Sequence, residues 1–140
     1  MEHLLAIDPG ETVGYAWFGL EEYDLQIANQ VEAKGFIEKL ELWAGNGGFK
    51  VVIEDYRIRQ DTVSANLGKE LKTAKLLGAI EHILEREEVP YEYQPAGIGK
   101  HFFDRERMED MEVWQVGKVH ARDAIRHGLY YLMFGSEGGD

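Results

Sequence analysis

Cysteine is absent from the 140-residue chain, which excludes disulfides, thiolate metal sites and a cysteine nucleophile and favours a reducing, intracellular setting. Long apolar runs are missing as well. None approaches the ~20 residues needed to cross a bilayer, and Met1-Glu2-His3 leads into no basic-then-apolar signal segment. The expectation is a soluble, cytoplasmic protein with no membrane partner. Proline is scarce, three in all, and Pro9, Pro90 and Pro95 each fall where a run of regular structure should begin or end. Basic charge is also short: 15 lysines and arginines face 26 acids, a formal charge of -11, which repels nucleic acid at long range.

That deficit is unevenly spread. Glu21, Glu22, Asp24, Glu32, Glu38 and Glu41 crowd the first third, and Glu81, Glu85, Glu87, Glu88 and Glu92 the middle. Between them Arg57, Arg59, Lys69, Lys72 and Lys75 form a locally basic region opposed only by Asp55, Asp61 and Glu70, and Lys100, Arg105 and Arg107 form a second. An acidic chain can therefore still present one positive face. The length suits one domain with a single sizeable core. Residues 1–134 are read as that domain and 135–140, short, glycine-rich and acidic, as a disordered tail.

The stretch that organises the chain is Leu4-Leu5-Ala6-Ile7-Asp8-Pro9-Gly10-Glu11-Thr12-Val13-Gly14. A continuous apolar run reads as a strand buried on both faces, and it ends on a carboxylate, which is costly to bury unless paired or bound to a cation. Asp8 alone can equally cap the turn. Val13 to Leu20 and Tyr23 to Ala28 continue as two further strands of an antiparallel meander. From Val31 the spacing of Phe36, Leu40 and Trp43 predicts a helix that ends at Gly45-Asn46-Gly47-Gly48.

Val51-Val52-Ile53 is again wholly apolar and is followed by Glu54-Asp55. Fed by a helix, it fits inside the sheet parallel to the first strand, which sets Asp8 beside Glu54 at the carboxyl ends where ligand sites of open α/β sheets lie. Asp55 should point to the opposite face. From a cap at Asp61 or Ser64, Leu67, Leu71, Ala74, Leu77 and Ile80 mark a long amphipathic helix to Leu84. Tyr91 to Gln94 reads as a short strand, and the region to Asp110 is too mixed in charge to assign. Trp114 is read as a packing residue.

A last helix is expected over 116–134. At ~100° per residue, His120, Asp123, Ala124, His127 and Tyr131 share the face that packs on the sheet, and Lys118, Arg122 and Arg126 the solvent face. His127 reads as a satisfied core histidine. His120 and Asp123, one turn apart, can converge on one ion, and the aspartate is otherwise an unpaired charge against the core.

Three motifs carry a family resemblance: Ile7-Asp8-Pro9-Gly10 with Thr12 and Gly14, Val52-Ile53-Glu54, and His120-Ala121-Arg122-Asp123-Ala124. In this order, along nearly the whole chain, the sequence resembles the RuvC-type Holliday-junction resolvases, and more closely their small bacteriophage relatives. The resemblance implies an α/β, ribonuclease-H-like fold: a mixed five-stranded sheet, three strands in an antiparallel meander plus parallel strands, flanked by helices. It also implies homodimers that cut four-way DNA junctions by paired nicks. Water-driven phosphodiester cleavage with two divalent ions suits these side chains, and Mg²⁺ or Mn²⁺ suits carboxylates with one imidazole. Asp8 is assigned to both ions, Glu54 to one, and His120 with Asp123 to the other. Lys100 is the candidate phosphate contact, with Arg57, Arg59 and Lys69 behind it. The long helix from Ser64 is the candidate dimer element, and Tyr56, Phe102 and Phe103 are read as core packing rather than as wedges between bases.

Three alternatives stand beside this reading. A relative of the same fold could process RNA. The Asp8, Gly10, Thr12, Gly14 pattern also resembles the phosphate loop of the actin and sugar-kinase group, which needs two such domains. A junction-binding protein without catalysis would gain nothing from clustered acids near DNA.

Overall fold

In a computed structural model, residues 2–22, 24–55 and 63–135 are described, the side chains of 63–71 excepted. Tyr56, Arg57, Arg59, the Asp61 and Ser64 caps, the Lys69 side chain and the tail 136–140 lie outside the described residues. Among the described residues there are five strands: β1 (His3–Asp8), β2 (Thr12–Gly19), β3 (Leu25–Glu32), β4 (Phe49–Asp55) and β5 (Tyr91–Pro95). They form one sheet in the order β3-β2-β1-β4-β5. β1, β2 and β3 pair antiparallel, while β4 pairs parallel with β1 and β5 parallel with β4. The expected mixed sheet is therefore the observed one. The described residues also form the helices α1 (Ala33–Asn46), α2 (Val63–Arg86), α3 (Arg105–Asp110) and α4 (Val119–Phe134). Among the described residues no helix is long and apolar enough to cross a membrane.

The period-2 alternation of a strand divides the core into two layers. Leu5, Ile7, Tyr15, Val51 and Ile53 face one side and bury Phe36 and Leu40 of α1 with Leu76, Leu77, Ile80 and Leu84 of α2. Leu4, Ala6, Ala16, Phe18 and Val52 face the other and bury Ala124, Ile125 and Leu129 of α4 with Met108 of α3. Each fully buried large side chain contributes roughly 1.5–3 kcal/mol. Asp8 follows Leu4 and Ala6 by the same alternation, and Glu54 follows Val52. Both acids are thus delivered to the α4 side.

Three places differ from expectation, one of them the start of the last helix, which begins at Val119 and not at 116. β3 runs to Glu32, past Ala28, because Gln26, Asn29 and Gln30 are tolerated on an edge strand that is largely exposed. The stretch after β5 contains α3, whose Asp104 caps the Arg107 amide at 2.9 Å; its apolar anchors, Phe103, Met108 and Val113, are buried.

Small residues let α4 approach the sheet. A Cβ on Gly14 would lie 1.9 Å from the His120 carbonyl oxygen, and one on Gly128 would lie 2.1 Å from the Phe18 ring. Gly14 meets backbone, which cannot rotate away, whereas a Cβ on Gly78 within α2 would meet nothing within 4 Å. Gly14→Ala should destabilise the fold by about 2–3 kcal/mol, about 8–12 °C in melting temperature for a domain of this size. Gly78→Ala should leave it unchanged or raise it by up to about 1 kcal/mol. Thermal melts of the two variants check both signs.

Candidate active site

The parallel pairing of β1 with β4 ends at Ile7 opposite Ile53, so the next residues, Asp8 and Glu54, emerge side by side at the carboxyl ends of the two central strands. Both are about 2% exposed. The Asp8 carboxyl lies within hydrogen-bonding range of Glu54, but two ionised carboxylates offer acceptors only. One must carry a proton for the contact to be a bond. With both ionised, the buried Oε2 of Glu54 has no donor among the described residues.

Glu54 Oε1, by contrast, is well satisfied. The Nε2 of His127 lies 3.1 Å away, and the Gly97 N–H donates to it at 3.4 Å. Gly97 sits at φ +81°, left-handed backbone that glycine adopts without strain. On the other side, Nδ1 of His120 lies 3.2 Å from Asp8 Oδ2. α4 begins without a capping side chain of its own, and Gln30 of β3 supplies one: its Oε1 accepts from the amides of His120 at 3.0 Å and Ala121 at 3.4 Å. The edge strand thereby fixes the helix end that carries the imidazole.

Asp123, one turn on, takes a hydrogen bond from Arg126 at 2.9 Å, yet it remains near enough for its charge to act on Asp8. Lys100 acts on Asp8 in the opposite sense. It rides on a loop pinned by buried Phe103, whose carbonyl accepts from Arg126 Nε at 2.8 Å. The sequence expectation that Arg122 and Arg126 face solvent is corrected here. Both are partly buried against the Trp114 ring, at 4.3 and 6.0 Å from its centre, and Arg122 donates to the Gln115 carbonyl at 3.0 Å. They tie the 103–117 segment to α4, which gives Trp114 its packing role. Phe103 is core as expected, whereas Phe102 is 41% exposed and stacks edge-on with Phe103 and Phe134.

The structure thus brings Asp8, Glu54 and His120 into contact, keeps Asp123 and Lys100 within electrostatic reach, and leaves Arg57, Arg59 and the Lys69 side chain undescribed. Sequence reasoning missed the part of His127 and the whole of Gly97, Gln94 and Gln30. His127 shares a helical face with His120, but nothing local points to a partner on β4.

Charge and burial set the proton affinities. Burial pushes the Asp8 carboxyl up, the bond and charge of Glu54 and the charge of Asp123 push it further, and Lys100 opposes them; the result is about 10. Burial also tends to raise Glu54, but its bonds to His127 and Asp8 and the Gly97 N–H outweigh burial and hold it at about 2. As a pair, the two carboxyls keep one proton through neutral pH. A divalent cation would replace that proton and serve Glu54 Oε2, which has no other donor among the described residues, so the donor set of two carboxylates, an imidazole and a nearby third carboxylate fits Mg²⁺ or Mn²⁺. Among the described residues no three His, Asp or Glu side chains already form a ready metal cage, and Asp123 is held by Arg126.

The pH dependence follows in sign. Folded Asp8 keeps a proton that the unfolded chain releases near 3.8, so its contribution to stability falls as pH rises from there through about 10. Glu54 contributes stability above 4.5 that is lost as pH falls toward about 2. In chelator, wild-type protein should lose melting temperature between pH 5 and 9. Asp8→Asn should flatten that slope and be more stable than wild type at pH 8 by about 1–3 kcal/mol. Melts of both proteins across this range check it; an unchanged slope in the variant contradicts it.

No protein-family model matches the chain, and no curated protein matches it in sequence. Solved structures do match. T. thermophilus RuvC in complex with Holliday junction substrate superposes with a TM-score of 0.70 at 14% identity, covering 99% of this chain and 97% of that one. The Thermus thermophilus RuvC structure gives 0.61 at 16% identity, covering 97% and 96%. Over essentially its whole length, the chain has the ribonuclease-H-like fold of the RuvC structures.

Proposed function

We propose that the chain is a divalent-metal-dependent endonuclease that cuts four-way DNA junctions by paired symmetric nicks, acting as a homodimer. The observation that carries this reading is the buried Asp8–Glu54 contact, with an unpartnered Glu54 oxygen and His120 against Asp8, at the carboxyl ends of β1 and β4. The likeness in fold to a RuvC that was solved on a Holliday junction substrate supports the choice of DNA junction over other phosphodiesters.

Asp8, Glu54, His120 and Asp123 would hold the cations. When bound, Mg²⁺ or Mn²⁺ supplies an activated water and a counter-charge for the leaving oxygen. The chain's own residues do the rest. Asp8 and Glu54 are locked on adjacent strands, so their oxygens stay within a fraction of an ångström of the required places. His120 is held by its Gln30-capped backbone as well as by its bond to Asp8. Asp123 is paired with Arg126 and its charge reaches Asp8, so it would join Asp8 in holding a cation. Lys100 holds a phosphate near the acids and offsets the -11 charge of the chain at the point of contact. A two-fold dimer with both sites facing one way matches a branched substrate by geometry, and α2 is the element proposed to form it.

Labelled four-way DNA, linear duplex and structured RNA, each incubated with the purified protein and Mg²⁺ or Mn²⁺, test the reading. Junction DNA should be cut in preference, and Asp8→Asn or Glu54→Gln should slow cutting about a thousandfold or more, equivalent to about 4 kcal/mol of barrier. Both variants should still bind the junction, since neither adds a negative charge facing it. Equal or better cutting of RNA, or cutting by Asp8→Asn at the wild-type rate, contradicts the proposal.

A further inference from the structure

β5 pairs in parallel with β4 so that Gln94 lies opposite Glu54, and side chains at paired positions project to the same face of a sheet. That face is covered by α4, whose buried His127 lies between them. Gln94 Nε2 lies 2.9 Å from the His127 carbonyl oxygen and 3.3 Å from its Nδ1. A carbonyl can only accept, so the amide nitrogen of Gln94 and not its oxygen must face His127. The second hydrogen of that nitrogen is then available to Nδ1, which must present a lone pair. The single ring proton is left on Nε2, where it donates to Glu54 Oε1 at 3.1 Å.

We propose that His127, with its Nε2–H tautomer selected by Gln94, is the positioning residue that fixes Glu54 as a one-oxygen cation ligand. The inference rests on the metal-site reading above and adds to it. His127 and the Gly97 N–H engage Oε1, so the carboxylate cannot rotate to offer both oxygens, and Oε2, buried and with no donor among the described residues apart from the proton shared with Asp8, is the one turned to the ion. His127 itself touches no cation. All three side chains, Glu54, Gln94 and His127, are at most 6% exposed, so water does not compete for these bonds. Partners that orient a metal-bound carboxylate typically change ion affinity by 10- to 100-fold when removed.

Two measurements test this. The first needs no variant: long-range ¹H–¹⁵N correlation spectra of the wild-type protein in chelator should show His127 protonated on Nε2 alone, and protonation on Nδ1 overturns the proposal. The second follows Mn²⁺ binding by calorimetry. His127→Met, which keeps bulk and loses the donor, should weaken Mn²⁺ about tenfold or more, while His127→Gln, whose amide can place an N–H near the same point, should stay within about threefold. Circular dichroism confirms that each variant is folded. If wild type binds Mn²⁺ and folded His127→Met binds it equally well, the positioning role is overturned while the nuclease reading stands. If wild type binds no Mn²⁺, both are overturned.

Discussion

Burying Asp8 against Glu54 sets two like charges side by side where water screens them poorly. The contact follows from the strand register, which neither residue can escape without breaking the parallel ladder between β1 and β4. The surroundings of the pair therefore divide into groups that relieve the repulsion. His127 and Gly97 take up one oxygen of Glu54, His120 meets one oxygen of Asp8, and Lys100 adds a positive charge. They leave one buried oxygen over. A fold that retains such a pair holds it at the expense of stability, as is common where a site is built for chemistry.

α4 is the element through which this arrangement is regulated in space. Its approach to the sheet is set by the absence of side chains at Gly14 and Gly128, its first turn by Gln30 of the edge strand, and its outer side by Arg122 and Arg126 over Trp114. One helix consequently carries His120 to Asp8 and His127 to Glu54. Displacing it by even one ångström would separate the imidazoles from both acids at once, which is why packing at Gly14 and chemistry at Asp8 are parts of the same problem.

Much of this was legible in the residues. The run Leu4 to Asp8 and the run Val51 to Glu54 declare buried strands that end on acids, and the helix between them implies that they lie parallel. The amphipathic spacing of α2 and α4 was equally plain. Less visible was β3, whose Gln26, Asn29 and Gln30 look like loop residues until the strand is known to lie at an edge. The 103–117 segment was hidden by its charge, although Phe103 and Met108 anchor it. Helical periodicity points Arg126 toward solvent because it reports direction from the axis and not what another segment lays over it. The role of His127 depends on Gln94 and Glu54, which come from two other strands, and no local pattern encodes a contact of that kind.

The proposed function stands or falls with a cation in the space bordered by Asp8 and Glu54 Oε2. The most direct measurement is an anomalous difference map from a crystal of the protein soaked in Mn²⁺. A peak is expected within about 2.2 Å of an Asp8 oxygen and of Glu54 Oε2, a distance suited to a small divalent cation on oxygen ligands, with His120 or Asp123 turned toward the metal. A map without density there, in a crystal that holds Mn²⁺ elsewhere and keeps the two carboxyls in direct contact, would contradict it.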